Sequence, residues 1–375
     1  MLATPLRASV TDALGCFSIL DRYDLEKSYL SILATPRLTP NNGLAKAAGA
    51  GDEDLVHHFV SQGALDWDAA MNHAAQGGHM GLVLYCVSQG ANDWDGSMCL
   101  AAKGGHMDLV LYFVSQGAHD WNEAMYWAAE GGHKDLVLYF VSQGANDWSL
   151  AAGGAAKEGQ MDLVLYFASQ GANDWNWVMS NAAEGGHTDI VLYAASRGAN
   201  AWNKCMYYAA RGGHMDLVLY FVFQGANDWD GGLRGAAYGG HMDLVLFFVS
   251  QGANDLNWAM CSAAAGGHMD LVRYFVDKGA NDFKEAICGA ARKGHKDIVF
   301  YLSQGVNDWP ELNSNPASYK CVWNSAMRWA AAGGHLDLVR YFVSRGANDW
   351  STAMHNARFS KHGHLIEYFE KQINE

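Results

Sequence analysis

Histidine recurs at ten regularly placed positions, His79, His106, His133, His187, His214, His241, His268, His295, His335 and His362, with aspartate two residues on at eight of them, commonly as His-Met-Asp. Imidazole and carboxylate are the side chains that hold zinc and related ions. A metal site needs those groups to converge within a few ångströms, whereas equivalent residues on stacked helices sit ~10 Å apart. The pattern therefore predicts no metal. Each aspartate has a sufficient task in the first turn of a helix, where negative charge complements the helix dipole. Each histidine is expected to hydrogen-bond across the turn between two helices.

Tryptophan, mostly after aspartate, marks a second recurring place: Trp67, Trp94, Trp121, Trp148, Trp175, Trp202, Trp229, Trp309, Trp323 and Trp350, with Leu256 and Phe283 substituting. Rings at such intervals stack nucleobases or sugars in some proteins. Leu256 keeps the burial and loses the stacking face, which favours an apolar ladder over a stacking platform. Seven cysteines, an odd number with no close pairs, fit neither a disulfide framework nor a zinc finger and point to a reducing compartment. No nucleophile–base pair or phosphate-cradling loop is present. No catalytic residue, cofactor or enzymatic activity is expected.

The elements that must position these residues follow from a period. Taking the last position of the Gly-Gly-His triplet as a phase marker, positions 52, 79, 106, 133, 160, 187, 214, 241, 268 and 295 follow one another at intervals of 27, then comes a step of 40 to His335 and one of 27 to His362. One residue deleted in YLSQGVNDW and 14 added between Trp309 and Trp323 account for the longer step. In MDLVLYFVSQ, 107–116, apolar residues stand 3, 4, 7 and 8 after the marker, a helical stripe (helix B) that Gly117 ends as a left-handed cap. The preceding NEAMYWAAE, 122–130, sets Ala124, Met125, Ala128 and Ala129 on one face (helix A), with Asp120 and Glu123 as a capping box at its start. Isolated helices shorter than ~12 residues are marginal in water. Stability must come from stacking repeat on repeat.

These units resemble ankyrin repeats over residues 44–373, on the strength of AAxGGH followed by the apolar positions and by Gly-Ala, as in His106, Leu109, Val110, Phe113, Val114, Gly117 and Ala118. The density of near-identical copies is similar to ankyrin proteins of large DNA viruses infecting protists. The resemblance implies an all-α solenoid of about twelve stacked helix pairs in a curved rod, acting as a scaffold that binds proteins. Ankyrin units are longer and carry a β-hairpin. Here six residues are gone and Ala-Met stands where Pro-Leu would be, so the hairpins are expected to be absent or reduced to turns, leaving helix A to bind.

Variation between repeats locates the expected partner-binding face. Helix B is nearly constant, while helix A changes at 10, 7, 6 and 3 residues before the marker, placing Tyr126, Trp127, Trp177, Asn181, Lys204, Tyr207, Tyr208, Arg234, Tyr238, Trp258, Arg328 and Trp329 on one stripe. Tyr, Trp and Arg are enriched at interface hot spots. Drift at unconstrained positions is the competing explanation, since Gly153, Gly154, Gly235, Ser262 and Gly289 share the stripe. Five residues after the marker, Leu84, Leu111, Leu138, Leu165, Leu192, Leu219 and Leu246 run in sequence. Exposed, they form an apolar ridge suited to self-association into a homo-oligomer; covered by flanking Met and Tyr, they are packing.

A net charge of −14 with no local Lys/Arg cluster argues against nucleic acid as partner. No apolar run reaches the roughly 18 to 20 residues that span a bilayer, so a soluble, cytoplasmic protein (in a host cytoplasm or a virion, if viral) with no membrane partner is expected. Residues 1–43 are expected to form an N-terminal helical cap; within them 17–32 faintly resemble the core of an F-box, which would make the chain a ubiquitin-ligase adaptor. The repeat array is expected over 44–375, with an inserted loop at 310–323 that is either functional or a tolerated insertion.

Overall fold

The computed structural model describes residues 40–304, 316–360 and 362–374. The F-box-like stretch, nearly all of the expected cap, and residues 310–315 of the insertion lie outside them. The described residues form 24 helices and no strand, so the fold is all-α. The chain divides into two compact bodies, Met1–Asp120 and Trp121–Glu375.

In the first body the pairs are Pro40–Ala50 with Glu53–Ser61, Trp67–Gly77 with Met80–Ser88, and Trp94–Gly104 with Met107–Ser115. The opening helix starts inside the segment expected as a cap. Its Gly43 is buried so closely that a Cβ there would collide with the Phe59 ring. The second body begins with Trp121–Glu130 and Lys134–Ser142 and ends with Trp350–Phe359 and Gly363–Asn374. Within each body every A helix packs on its own B helix and on neighbouring A helices.

The core is the pattern read from the repeat. Leu109, Val110 and Phe113 on helix B, and Ala124, Met125, Ala128 and Ala129 on helix A, have no exposed surface. Each buried Leu, Val or Phe stabilises by roughly 1.5–3 kcal/mol relative to an exposed one. The fourth expected position, Val114, lies half-exposed at the edge.

Gly-Gly-His has one task per residue. At Gly104 a Cβ would run into the carbonyl oxygen of Gln76 and the His106 ring, so only glycine lets consecutive A helices approach this closely. Gly105 takes the left-handed φ of 82° that ends the helix. His106 Nε2 then donates to that Gln76 oxygen at 3.1 Å. The histidine thus bonds to the preceding repeat and not, as expected, across its own turn. His187, His214, His241 and His335 repeat the bond to Lys157, Glu184, Arg211 and Arg292.

A second ladder replaces the hairpin. Asn122 Oδ1 accepts from the backbone N–H groups of Asn146 and Asp147 in the next repeat, at 2.8 and 2.9 Å. Asn176 and Asn203 do the same for 200–201 and 227–228. Asp68 and Asp95 serve the first body in this way. One side chain therefore fixes each tight turn by satisfying two donors that a longer loop would leave to water. The following aspartate caps helix A: Asp147 Oδ1 accepts from Leu150 N at 3.0 Å. Glu123 also accepts from Trp127 Nε1 at 3.0 Å.

The described tryptophans form the expected apolar cover, and Trp309 lies outside the described residues. Trp148 and Trp202 lie over Phe167 and Phe221 of their own repeats, with centroids 6.5 and 6.3 Å apart. Where Ala194 replaces that phenylalanine, Trp175 turns edge-on to Tyr193 at 5.6 Å. The insertion is only partly a loop, because 316–323 lengthen the next A helix to Pro316–Ala332. Pro316 is tolerated as its first residue, where no helical N–H bond is lost. The repeat before the insertion carries Lys284 where its neighbours have an Asn or Asp acceptor.

Candidate functional site

The variable stripe of helix A is partly consumed by packing between repeats. A Cβ on Gly154 would meet the Tyr126 backbone and ring, one on Gly235 would meet Tyr207, and one on Gly153 would collide with Trp177 Nε1. Glycines that looked like drift are therefore the sockets for neighbouring aromatics. A large side chain seven residues before one marker is matched by a small one six before the next. Tyr126 also shares a hydrogen bond with Glu130, and burial followed by that carboxylate raises its phenol well above the usual range. Burial likewise raises Tyr207. Asn181 is 6% exposed and donates Nδ2–H to the Trp177 carbonyl at 2.9 Å, so it does not face solvent. Trp127, Trp177, Tyr208, Arg234, Tyr238 and Arg328 are half-buried, and Lys204 is exposed with Nζ 5.6 Å from the Trp177 ring.

The size matching fails between Cys261 and Gly289, and a cavity results. Cys261 stands where Tyr126 and Tyr207 stand elsewhere, and the residue it faces in the next repeat is Gly289, already small. The opening measures about 260 Å³ and is lined by Tyr238, Trp258, Cys261, Ser262, Ala265, Glu285, Cys288, Gly289, Arg292 and Trp329. Cys261 and Cys288 are 9% and 4% exposed and lie deepest, while Trp258 and Trp329, 58% and 40% exposed, stand at the mouth. Three residues picked for the variable stripe, Tyr238, Trp258 and Trp329, are thus brought together. Sequence reading passed over Cys261, Ser262 and Gly289, although small residues in adjacent repeats were a visible signal.

Cation–π contacts brace the walls. The Arg211 guanidinium lies 4.6 Å from the Tyr238 ring centroid, and that of Arg292 lies 5.1 Å from Trp329. Arg211 also pairs with Glu184 at 3.5 Å. Burial, followed for Cys261 by the charge of Asp282 and for Cys288 by that of Glu285, pushes both thiols up to about 12. They are protonated, apolar lining and not nucleophiles. No group of three or more His, Cys, Asp or Glu side chains among the described residues is arranged to hold a metal ion.

On the opposite helices the leucine row is half-exposed: Leu84 and Leu111, both 47%, in the first body, and Leu138, Leu165, Leu192, Leu219 and Leu246, 44–50%, in the second. Flanking side chains cover only half of it. Phe223 beside it is 85% exposed. No helix among the described residues is long and apolar enough to cross a membrane.

No family model matches the chain, and no curated protein matches it. Among solved structures, the chain is similar to the ankyrin repeat domain of human ASB11, with 18% identity over 42% of this chain and 84% of that one, at a TM-score of 0.30. It is also similar to the pentatricopeptide repeat protein PPR10 from maize, with 12% identity over 95% of this chain and 61% of that one, at a TM-score of 0.31. The chain's own period and helix pairing make it a helical-repeat protein of shortened, ankyrin-like units.

Proposed function

We propose that the protein is a binding scaffold that holds a partner protein on its A-helix face, centred on the cavity between Tyr238 and Trp329. The observation that carries this reading is the pair of exposed tryptophans, Trp258 and Trp329, at the mouth of an opening of about 260 Å³. Bulky aromatics around a desolvated pocket are where interface energy concentrates. Of the other aromatics on that stripe, Tyr126, Tyr207 and Trp177 are already seated against glycines of neighbouring repeats.

A second reading is supported by Leu138 to Leu246, five successive half-exposed leucines in the second body. An apolar row of this kind suits self-association. One experiment separates the two. Trp258→Ala with Trp329→Ala is expected to abolish partner capture from a lysate of the native source and leave the oligomeric state unchanged by light scattering. Leu192→Asp is expected to leave capture intact. Capture that survives the double variant, together with concentration-dependent dimers that Leu192→Asp dissolves, would favour the leucine row instead.

A further inference from the structure

The cavity's size bounds its occupant. An enclosed apolar space of ~150 Å³ already holds benzene, and pockets for drug-sized ligands or cofactors start at about 300 Å³. An opening of about 260 Å³ matches one bulky side chain. Its deep surface is thiol, methyl and glycine backbone, from Cys261, Cys288, Ala265 and Gly289. That surface offers little to a polar group and suits a soft apolar one.

Charge bounds what flanks it. The chain carries −14 overall, yet its A helices from Trp202 to Ala332 hold eight Lys or Arg against two carboxylates, Asp230 and Glu285. The cap aspartates of these helices, Asp228, Asp255 and Asp282, are bonded to backbone N–H groups. No stretch of sequence is basic. The successive A helices contribute two, one, none, three and two cations, so the excess is spread over separate repeats and not along one stretch of chain. At the cavity itself Arg292 is exposed, stacked on Trp329, and meets no carboxylate among the described residues.

Resting on the A-helix reading above, we propose that the cavity takes one Leu, Met or aromatic side chain from an acidic stretch of a partner polypeptide, with a carboxylate beside that anchor meeting Arg292. Glu285 lines the same cavity and disfavours any anion, carboxylate or phosphate, seated inside it, so the group that enters is apolar and the acidic groups stay outside. A carboxylate held outside the opening, against the Arg292 guanidinium already fixed on the Trp329 ring, forms a charge-assisted bond at low ordering cost.

The test is a randomised peptide library displayed on phage and selected on the full chain, followed by titration of the enriched peptides as fluorescent probes. The expected winners carry a Leu, Met or aromatic residue beside Asp or Glu. Their affinity is expected to fall about tenfold or more, over 1.4 kcal/mol, with Gly289→Leu, which fills the opening, and with Arg292→Glu. Gly289 lies within a helix and a Cβ there is in ordinary contact with its neighbours, so Gly289→Leu remains folded, checked by circular dichroism. Winners without acidic residues, or binding lost with Gly289→Leu and kept with Arg292→Glu, overturn the acidic chemistry and leave the A-helix reading standing. Binding indifferent to both variants and lost with Leu192→Asp overturns the A-helix reading as well. A poly-uridine probe that binds and is released by Arg292→Glu overturns the proposal in favour of nucleic acid.

Discussion

Replacing Gly212 by alanine is expected to destabilise the repeat array by about 2–4 kcal/mol, while the same change at Gly289 stabilises it by about 0.5–1 kcal/mol. Both glycines lie in A helices, Trp202–Gly212 and Phe283–Lys293. A Cβ on Gly212 would lie inside contact of the Glu184 carbonyl oxygen and 2.7 Å from His214 Cδ2. Glu184 O is the oxygen to which His214 Nε2 donates at 2.9 Å. The methyl group therefore overpacks the seam between two repeats and breaks the bond that ties them, two costs of about 1–3 and about 1 kcal/mol. Gly289 faces the cavity, where the nearest atoms to a Cβ are 3.4 and 3.5 Å away. Only the helix-propensity gain of alanine remains. Repeat arrays open locally, so amide hydrogen exchange reads the change best. Gly212→Ala should accelerate exchange in the helices around 184–214, and Gly289→Ala should slow it around 283–293. Equal effects at the two positions would mean that the close approach at Gly-Gly-His does not hold the repeats together.

Acid is expected to loosen the second body between about pH 6.5 and 4. Burial is the main cause that lowers His335, to about 4 from the usual 6.5, and it lowers His295 in the same direction. A ring disfavoured as a cation when folded takes up a proton more readily when unfolded. Protons therefore pull the equilibrium toward the unfolded chain. The contribution is full above the unfolded value and is lost as pH falls toward the folded one. His335 Nε2 bonds to the Arg292 carbonyl at 3.1 Å, so the loss is expected first in the repeats that form the cavity. Gln160 occupies the histidine position in one natural repeat and lies against Gly132 much as the histidines lie against their glycines. His335→Gln should therefore fold and flatten the fall of Tm with acidity. An unchanged slope would remove His335 from this role.

Repetition made the fold legible and hid the site. Leu109, Val110, Phe113 and the Ala-Met-Ala-Ala face were readable because identical stacked neighbours need identical contacts, and spacing reports that directly. The bonds that join repeats were less readable. The His106 ring reaches an oxygen 30 residues back and Asn122 serves N–H groups 24 and 25 residues ahead; no local pattern marks such a span. The recurring Asn, Asp or Ser eleven before each marker, interrupted by Lys284, was the available signal. The candidate site was half legible. Trp258, Trp329 and Tyr238 stood out as exposed types at variable positions. Asn181 did not belong, and Tyr126, Tyr207 and Trp177 are seated on glycines of adjacent repeats, because side-chain size is compensated between repeats and not within one. The cavity is where that compensation lapses, at Cys261 and Gly289. The basic excess was invisible along the chain for a similar reason: its cations are spread over separate repeats.

The central claim, that partner choice lies in the A helices around the cavity while the repeated helix B is packing, is tested most directly by site-specific photo-crosslinking. A benzophenone amino acid placed at Ser262 in the cavity lining, or at half-exposed Leu192 on the opposite helices, is irradiated in lysate of the native source. One discrete protein adduct from position 262 and none from position 192 is the expected result. Adducts from position 192 alone, to a second copy of the chain or to another protein, would contradict the account.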